Sequence, residues 1–469
     1  MRRPLSLLIG ALLVAGPVLG VPAPPASGRP GPTSGYAAAA RAGALPDHFG
    51  IGLSAQPADP NLTGWMPGTG IPWDFAYQYL SGGVNTGHGW QTWIQNGRYP
   101  LWYAQTAQRH GYIPVFPYYM LVQSTGPCDG CTHAQRDLAN LNTPTIMRAY
   151  FADFAKLMQR LGPRTFDGIK GYGGTAIVHI EPDLSGYAEH AVLKDDDCYG
   201  HCTGGDNDPG NLRAAVASTG FPAVQGYSNT YRGFNAALLH LRDRYAPNVL
   251  LAFHVSDWAG QFDIGSEARA GDPAALGRRV ASFANAAGVR QARKDTSSYD
   301  LLFNDVADRD SGVTGIWWDR LNRTFPNFRR WERYIGTIHT ATARPVVVWQ
   351  IPEGNQWFRT VDGSGGHSQD NRAEYFFQHI PELKAVGIVA LLFGRGNPST
   401  THTDDKGDGV TNPPWFCTSN GVSSGRVCND HAAQWPDDDG GYLRIQAQAY
   451  YRDPLPLEAP GPFGSSHPG

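Results

Sequence analysis

The sequence has 469 residues, of which 41% are hydrophobic and 12% aromatic, enough to build a substantial core and to exclude a largely disordered chain. Its formal net charge of -3 provides no basic field for a polyanion, which argues against nucleic acid as a partner. The 13 Trp and 21 Tyr residues provide more aromatic surface than a protein core usually buries.

The N-terminal segment has the pattern of an export signal. Two arginines precede an apolar run from Leu5 to Leu19, and small residues follow as far as Ala23. We expect residues 1–23 to be a signal peptide and residues 24–44, rich in Pro, Gly and Ala, to be a flexible segment. The apolar run is too short to span a bilayer stably, so we expect a secreted protein without membrane association after signal removal.

Apolar runs bounded by turn residues predict strands along the rest of the chain. These runs are Phe49 to Ser54, Gly83 to Thr86, Ile113 to Leu121, Ala176 to Ile180, Val249 to Val255, Tyr299 to Asn304, Pro345 to Ile351 and Gly387 to Phe393. Segments of helical period lie between them. These segments are Trp73 to Leu80, Trp90 to His110, Pro144 to Leu161, Gly226 to Tyr245, Ala274 to Ala287, Asn327 to Thr340, Asn371 to Ala385 and Tyr442 to Tyr451.

The strict alternation of strands and helices predicts parallel pairing through right-handed crossovers. Eight such units favour an α/β fold of the (β/α)8 barrel type, forming one catalytic domain over residues 45–455 with a disordered tail at 456–469. An open, doubly wound sheet is the alternative, but no Gly-rich phosphate turn follows the first strand. The long, polar loops after strands four, seven and eight would project from the C-terminal face of a barrel, where substrates bind.

Carboxylic acids stand at the ends of two predicted strands. Strand four ends in AIVHIEPD, which places Glu181 at its C-terminal end and Asp183 two residues further on. Strand seven ends in VVVWQIPEGN, which places Glu353 at the matching position. Glycoside hydrolysis needs one carboxyl group to protonate the leaving oxygen and a second to attack the sugar or activate water. We therefore predict Glu181 and Glu353 as the catalytic pair, although capping or ion pairing is the ordinary role of such acids.

This arrangement resembles that of the clan A glycoside hydrolases, which are retaining barrel enzymes. The resemblance implies that Glu181 is the acid/base and Glu353 the nucleophile, although Ile180 stands where the clan commonly has Asn. The segment IEPDLSGY is also similar to the IEPD segment of the family 6 cellulases, which are inverting enzymes that use Asp residues. That second resemblance makes Asp183 the candidate acid.

Other polar and aromatic residues near the predicted strand ends are candidates for substrate binding. They are Tyr118, Tyr119, Asp183, Asp257, Trp258, Asn304, Asp305, Trp317, Trp318 and Gln350. Packing or ion pairing in the barrel wall is the alternative role for each, and His254 after strand five has the same two interpretations.

The six cysteines fall into three close pairs, and neighbour pairing as disulfides is the simplest of the possible connectivities in an oxidising compartment. The pairs are Cys128 with Cys131, Cys198 with Cys202 and Cys417 with Cys428. A zinc site is the less favoured alternative. We expect no cofactor and no catalytic metal; a structural calcium ion in the loop of Asp404 and Asp408 is only weakly indicated.

The sequence thus predicts a secreted, monomeric glycoside hydrolase that acts on a polysaccharide or oligosaccharide, with retention favoured over inversion. Two alternatives remain open. The first is a glycan-binding or wall-associated barrel that has lost its chemistry. The second is a metal-dependent hydrolase that uses His254, Asp257 and Asp305, whose activity chelation would abolish.

Overall fold

The computed structural model describes residues 45–55, 61–193, 207–260, 262–268, 271–290, 297–306, 309–354, 369–394 and 439–457. Within these residues, parallel strands close into an eight-stranded barrel and follow one another round the ring in chain order. The strands are β1 (Gly50–Ser54), β2 (Phe75–Tyr77), β3 (Ile113–Tyr118), β4 (Ala176–Ile180), β5 (Val249–His254), β6 (Leu301–Asp305), β7 (Val346–Ile351) and β8 (Ile388–Phe393). The predicted (β/α)8 barrel is confirmed.

Helices cover the outside of the barrel. The longer ones are α1 (Tyr99–Arg109), α2 (His133–Leu141), α3 (Pro144–Leu161), α4 (Leu184–Leu193), α5 (Tyr231–Tyr245), α6 (Pro273–Ala287), α7 (Phe328–Thr342), α8 (Arg372–Gln378), α9 (Ile380–Ala385) and α10 (Asp439–Tyr450). Single turns are found at Asn61–Trp65, Met66–Gly68, Trp90–Thr92, Gln95–Gly97, Ala217–Thr219, Pro222–Val224 and Ser311–Thr314, and a small hairpin pairs Thr165–Phe166 with Ile169–Lys170. None of the helices in the described ranges is long and apolar enough to cross a membrane.

The second strand was predicted in the wrong place. Residues 84–86 form bends, and β2 lies instead inside the segment Trp73 to Leu80 that was predicted as a helix. Phe75 and Tyr77 face the barrel interior while Ala76 packs in the outer core, which is the two-residue alternation of a strand. The chain bends after β2 near Gly83, which has a φ of 76° and whose backbone lies against the carbonyl of Gln123, where a side chain has no room.

The predicted helices differ from the observed ones mainly where a local backbone feature interrupts the periodic pattern. The segment Trp90 to His110 is broken at Asn96, whose φ of 62° is not helical, so α1 begins only at Tyr99. The segment Asn371 to Ala385 is split into α8 and α9 near Pro381, which has no N–H to donate. Helices α2 and α4 were not predicted, because each is short and polar or follows directly on a strand end.

Helix α2 begins at a capping box that accounts for its formation. The Thr132 hydroxyl accepts a hydrogen bond from the Gln135 amide N–H at 3.3 Å, and the Gln135 side chain accepts one from the Thr132 N–H at 3.1 Å. We expect Thr132→Ala to lower the free energy of unfolding by about 1 kcal/mol, and Thr132→Ser to retain most of it. Equilibrium urea unfolding checks this, and an unchanged midpoint in Thr132→Ala would show that the cap contributes nothing.

The core has two layers, one inside the barrel and one between the strands and the helices. The barrel interior contains Phe75, Tyr77, Val115, Ile177, Leu250, Ala252, Leu301, Phe303, Val347, Trp349, Ala390 and Leu392. These residues alternate along their strands with residues that pack against the helices. The same alternation decides which side chains at the C-terminal strand ends face the mouth of the barrel.

Candidate active site

Two histidines and an aspartate occupy inward positions on β4, β5 and β6. The His179 ring stacks on Phe303 with 4.5 Å between ring centroids, and the edge-on Trp349 ring lies 4.6 Å away. Nε2 of His179 lies 3.0 Å from Nδ1 of His254. On the other side of the same ring, His254 Nε2 lies 3.1 Å from Asp305 Oδ1. The three side chains therefore form a continuous polar row from the barrel interior to its mouth.

Asp183 lies next to this row. Its carboxylate accepts a hydrogen bond from the Tyr119 hydroxyl at 2.9 Å. Burial raises the pKa of Asp183, and the charge of Asp305 acts in the same direction, whereas Tyr119 and His254 lower it. Asp183 and Asp305 thus interact electrostatically at the mouth. Asp183 is partly buried and its surroundings shift it toward its neutral form, and Asp305 lies against a histidine.

Glu181 is directed away from the mouth. Its φ of 35° interrupts the alternation of β4. Its carboxylate accepts hydrogen bonds from the backbone N–H groups of Met120 and Leu121, at 3.2 to 3.3 Å. It also interacts with Tyr150 of α3 and with Asp137 of α2, both in the outer layer. Burial raises the pKa of Glu181 to about 8 in spite of these donors.

The raised pKa of Glu181 makes the stability depend on pH. A carboxyl whose pKa rises from 4.5 to about 8 on folding stabilises the fold fully below the unfolded value and loses that contribution as the pH rises to about 8. In the wild type, the free energy of unfolding should therefore fall between about pH 5 and about pH 8. We expect this fall to be smaller by several kcal/mol in Glu181→Gln, whose amide oxygen can still accept hydrogen bonds from the two N–H groups. Urea unfolding at both pH values measures the difference, and Glu382→Gln, at an exposed position, is the control. An equal decline in Glu181→Gln and the wild type would contradict the interpretation.

Glu353 lies after β7 and is buried. Its charge adds to burial in raising the pKa of Tyr77, so its carboxyl lies near Tyr77, the last residue of β2. The described contacts therefore link Glu181 to β3 and the helices, and Glu353 to β2. They do not test whether the two carboxyls act together, and the predicted catalytic pair stays a prediction.

Some of the predicted substrate-binding residues lie at the mouth. Tyr119 does so through its bond to Asp183. Gln350, with a φ of 50°, donates a side-chain hydrogen bond to the Tyr79 hydroxyl. Tyr79 packs against both Tyr119 and Trp349, which joins β2, β3 and β7 in one aromatic wall.

Other candidates face the helix layer. The Tyr118 hydroxyl donates to Asp153 of α3 at 2.6 Å. The Asn304 amide donates to buried Asp257 at 2.9 Å and accepts from Trp331 of α7. The described bonds of these side chains are thus with the barrel wall and its helices.

The tryptophan candidates have different environments. Trp318 is buried and donates its Nε1–H to the Gly265 carbonyl at 2.8 Å, whereas the adjacent Trp317 is 38% exposed. Trp258 is partly buried and packs against Tyr187 and His190 of α4. Among these, Trp317 has the most accessible ring.

Two residues at the site, His179 and Tyr79, were missed by the sequence analysis. A usable signal was present in each case. His179 stands two residues before Glu181 on the same predicted strand, and Tyr79 continues the alternation of Phe75 and Tyr77. His179 was not predicted because it lies within an apolar strand and not at its end, and Tyr79 because its segment was predicted as a helix.

Cys128 and Cys131 are within bonding distance, with 5.8 Å between their Cα atoms, as neighbour pairing predicts. The other four cysteines, at 198, 202, 417 and 428, lie outside the described residues, as does the weakly indicated calcium loop of Asp404 and Asp408. Within the described ranges, no group of three or more His, Cys, Asp or Glu side chains is arranged to hold a metal ion.

The structure is similar to several solved glycoside hydrolases. It matches an endo-beta-1,4-mannanase from Cellulomonas fimi with 11% identity and a TM-score of 0.41, over 84% of this chain and 74% of that one. It matches an exo-beta-1,4-mannosidase from Opitutaceae bacterium strain TAV5 with 11% identity and a TM-score of 0.40, over 87% of this chain and 60% of that one. A glycoside hydrolase family 5 enzyme from Prevotella bryantii matches with 9% identity and a TM-score of 0.39, over 89% of this chain and 99% of that one.

No family model matches the sequence, and no curated protein matches it. At the identities and TM-scores of the solved structures, similarity does not assign a function, which has to be argued from the residues of the site.

Proposed function

We propose that this protein is a glycoside hydrolase in which Asp183 donates a proton to the leaving oxygen and Asp305 is the second carboxyl group. The observation that carries the proposal is the pair of interacting carboxyls at the barrel mouth, one partly buried with a raised pKa and one in contact with a histidine. Glycosidic cleavage requires two carboxyls in opposite protonation states, and contrasting environments are the means by which proteins maintain them.

Asp183 has the environment of a proton donor. Burial and the nearby charge of Asp305 favour its neutral form, and the Tyr119 hydroxyl fixes its orientation at 2.9 Å. Donation to the glycosidic oxygen leaves a carboxylate, which the Tyr119 hydroxyl stabilises. The same group can then accept a proton from water or a sugar hydroxyl in the next step.

Asp305 has the environment of the carboxylate partner. Its side chain is 20% exposed, which gives a sugar or a water molecule access to it. Acting as a nucleophile, it would form a bond to the anomeric carbon as the leaving oxygen takes the proton of Asp183; acting as a base, it would take a proton from the attacking water. The sequence-based expectation of retention corresponds to the first route. Proton NMR of the first-formed anomer distinguishes the routes.

The glutamate pair predicted from the sequence is the rival assignment within the same function. Glu181 accepts two backbone hydrogen bonds on the helix side of β4, which suits a structural role better than proton donation. Comparing the glutamate variants with the aspartate variants separates the two assignments.

The experiment is a screen of the purified protein against soluble plant, fungal and bacterial polysaccharides, with release of reducing ends as the measurement. We expect at least one to be cleaved by the wild type and not by the double variant Asp183→Asn/Asp305→Asn. Binding to a polysaccharide without any release of reducing ends would identify a glycan-binding barrel and refute the proposal.

We also propose that the protein is exported and works as a monomer on a carbohydrate. The apolar run from Leu5 to Leu19 supports export, and a Cys128–Cys131 disulfide suits an oxidising compartment. Mass spectrometry of the secreted product, with the expected N-terminus near Ala23, tests export and the disulfide together.

A further inference from the structure

The buried histidine pair, His179 and His254, is not used in the chemistry proposed above. His179 has no exposed surface and is enclosed by the rings of Phe303 and Trp349. Its Nε2 faces His254 Nδ1 at 3.0 Å. Its other nitrogen, Nδ1, has no hydrogen-bond partner within the part of the chain that the structure describes.

The surroundings of His179 decide where its proton lies. Burial holds the pKa of His179 well below its ordinary value, and the neighbouring His254 acts in the same direction, so the ring is neutral and carries one N–H. A proton on Nδ1 would be a buried donor with no acceptor, which native structures rarely contain. The proton therefore lies on Nε2 and is donated to His254.

The same reasoning applies to the ring of His254. Because Nδ1 of His254 accepts the hydrogen bond from His179, it cannot itself carry a proton, so the proton of His254 lies on Nε2. That nitrogen is the one 3.1 Å from Asp305 Oδ1.

We propose that His179 selects the tautomer of His254, so that the proton of His254 lies on Nε2, the nitrogen that contacts Asp305 at 3.1 Å. Both histidines are positioning residues, and this role rests on the proposed function of Asp305. In this tautomer His254 places an N–H, and not a lone pair, next to the Asp305 carboxylate.

The first test is NMR of the wild-type protein labelled with ¹⁵N in its histidine rings. We expect both His179 and His254 to show the pattern of the Nε2–H tautomer, with signals assigned by His179→Gln and His254→Gln. A Nδ1–H tautomer at either ring would overturn the inference. The measurement needs no substrate, so it stands even if no polysaccharide is hydrolysed, in which case only the proposed function and the link to it would fail.

The second test compares two substitutions of His179 on the substrate found by the screen. His179→Gln keeps a side-chain N–H that can reach His254, whereas His179→Leu fills a similar volume and donates nothing. We expect His179→Leu to give mixed His254 tautomers and to lower kcat about tenfold or more at unchanged KM, while His179→Gln keeps the tautomer and most of kcat.

His240→Asn, at a partly buried position on α5, is the control and should leave kcat unchanged. A His179→Leu protein that folds and keeps both the tautomer and kcat would refute the role. If that variant fails to fold, the wild-type tautomers still decide the inference.

Discussion

Replacing Asp183 with Asn is expected to lower kcat on the natural polysaccharide by about 10²- to 10⁴-fold, with little change in KM. The substitution keeps the shape of the side chain and the hydrogen bond from Tyr119, but it removes the proton that the leaving oxygen needs. The fold should be unchanged, because the structure shows Asp183 at the mouth of the barrel rather than in its packed layers. Steady-state kinetics on the substrate found by the screen measure the effect.

The dependence on the leaving group makes this prediction specific. An aryl glycoside with a strongly acidic leaving group needs little protonation, so Asp183→Asn should retain far more activity on it than on the polysaccharide. Tyr119→Phe is the matched control, since it removes the orienting hydrogen bond and leaves the acid; we expect a smaller loss. An equal loss on both substrates in Asp183→Asn, or near-normal turnover of the polysaccharide, would exclude Asp183 as the proton donor.

Replacing Asp305 with Asn is expected to lower kcat by at least about 100-fold on both kinds of substrate. The carboxylate attacks the sugar or activates water, and neither role is relieved by a better leaving group. This independence of the leaving group distinguishes Asp305 from Asp183.

Glu353→Gln is the comparison variant for Asp305, because the rival assignment gives Glu353 the corresponding role. We expect Glu353→Gln to retain more activity than Asp305→Asn, since Glu353 lies by Tyr77 and Asp305 lies in the row with His254 and Asp183. The opposite order would restore the assignment from the sequence and remove the basis for Asp305 as the second carboxyl.

The barrel could be predicted from the sequence because most of its strands are continuous apolar runs. The strands that contain VLLAF and VVVW are buried on both faces, which is typical of a parallel sheet covered by helices. The second strand was not predicted because FAY is only three residues long, and Trp73 before it and Tyr79 and Leu80 after it extend an apparently helical pattern. Its pairing with β1 and β3 on either side stabilises it as a strand.

The site was found from the sequence only in part, because the acids at the end of β4 are too close together for spacing to separate them. Strict alternation puts Glu181 and Asp183 on the same face, but the left-handed conformation at Glu181 turns its carboxyl to the backbone of β3. The contact between His179 and His254 depends on the register of β4 and β5, in which His179 is opposite Ala252. Neither feature leaves a recognisable pattern in the sequence.

A crystal structure of Asp183→Asn with an uncleaved oligosaccharide of its substrate tests the central claim most directly. We predict that the scissile glycosidic oxygen lies within about 3 Å of the side chain at position 183, with the Asp305 carboxylate facing the anomeric carbon. An oligosaccharide whose scissile bond lies instead between Glu181 and Glu353, or outside the barrel mouth altogether, would contradict the account.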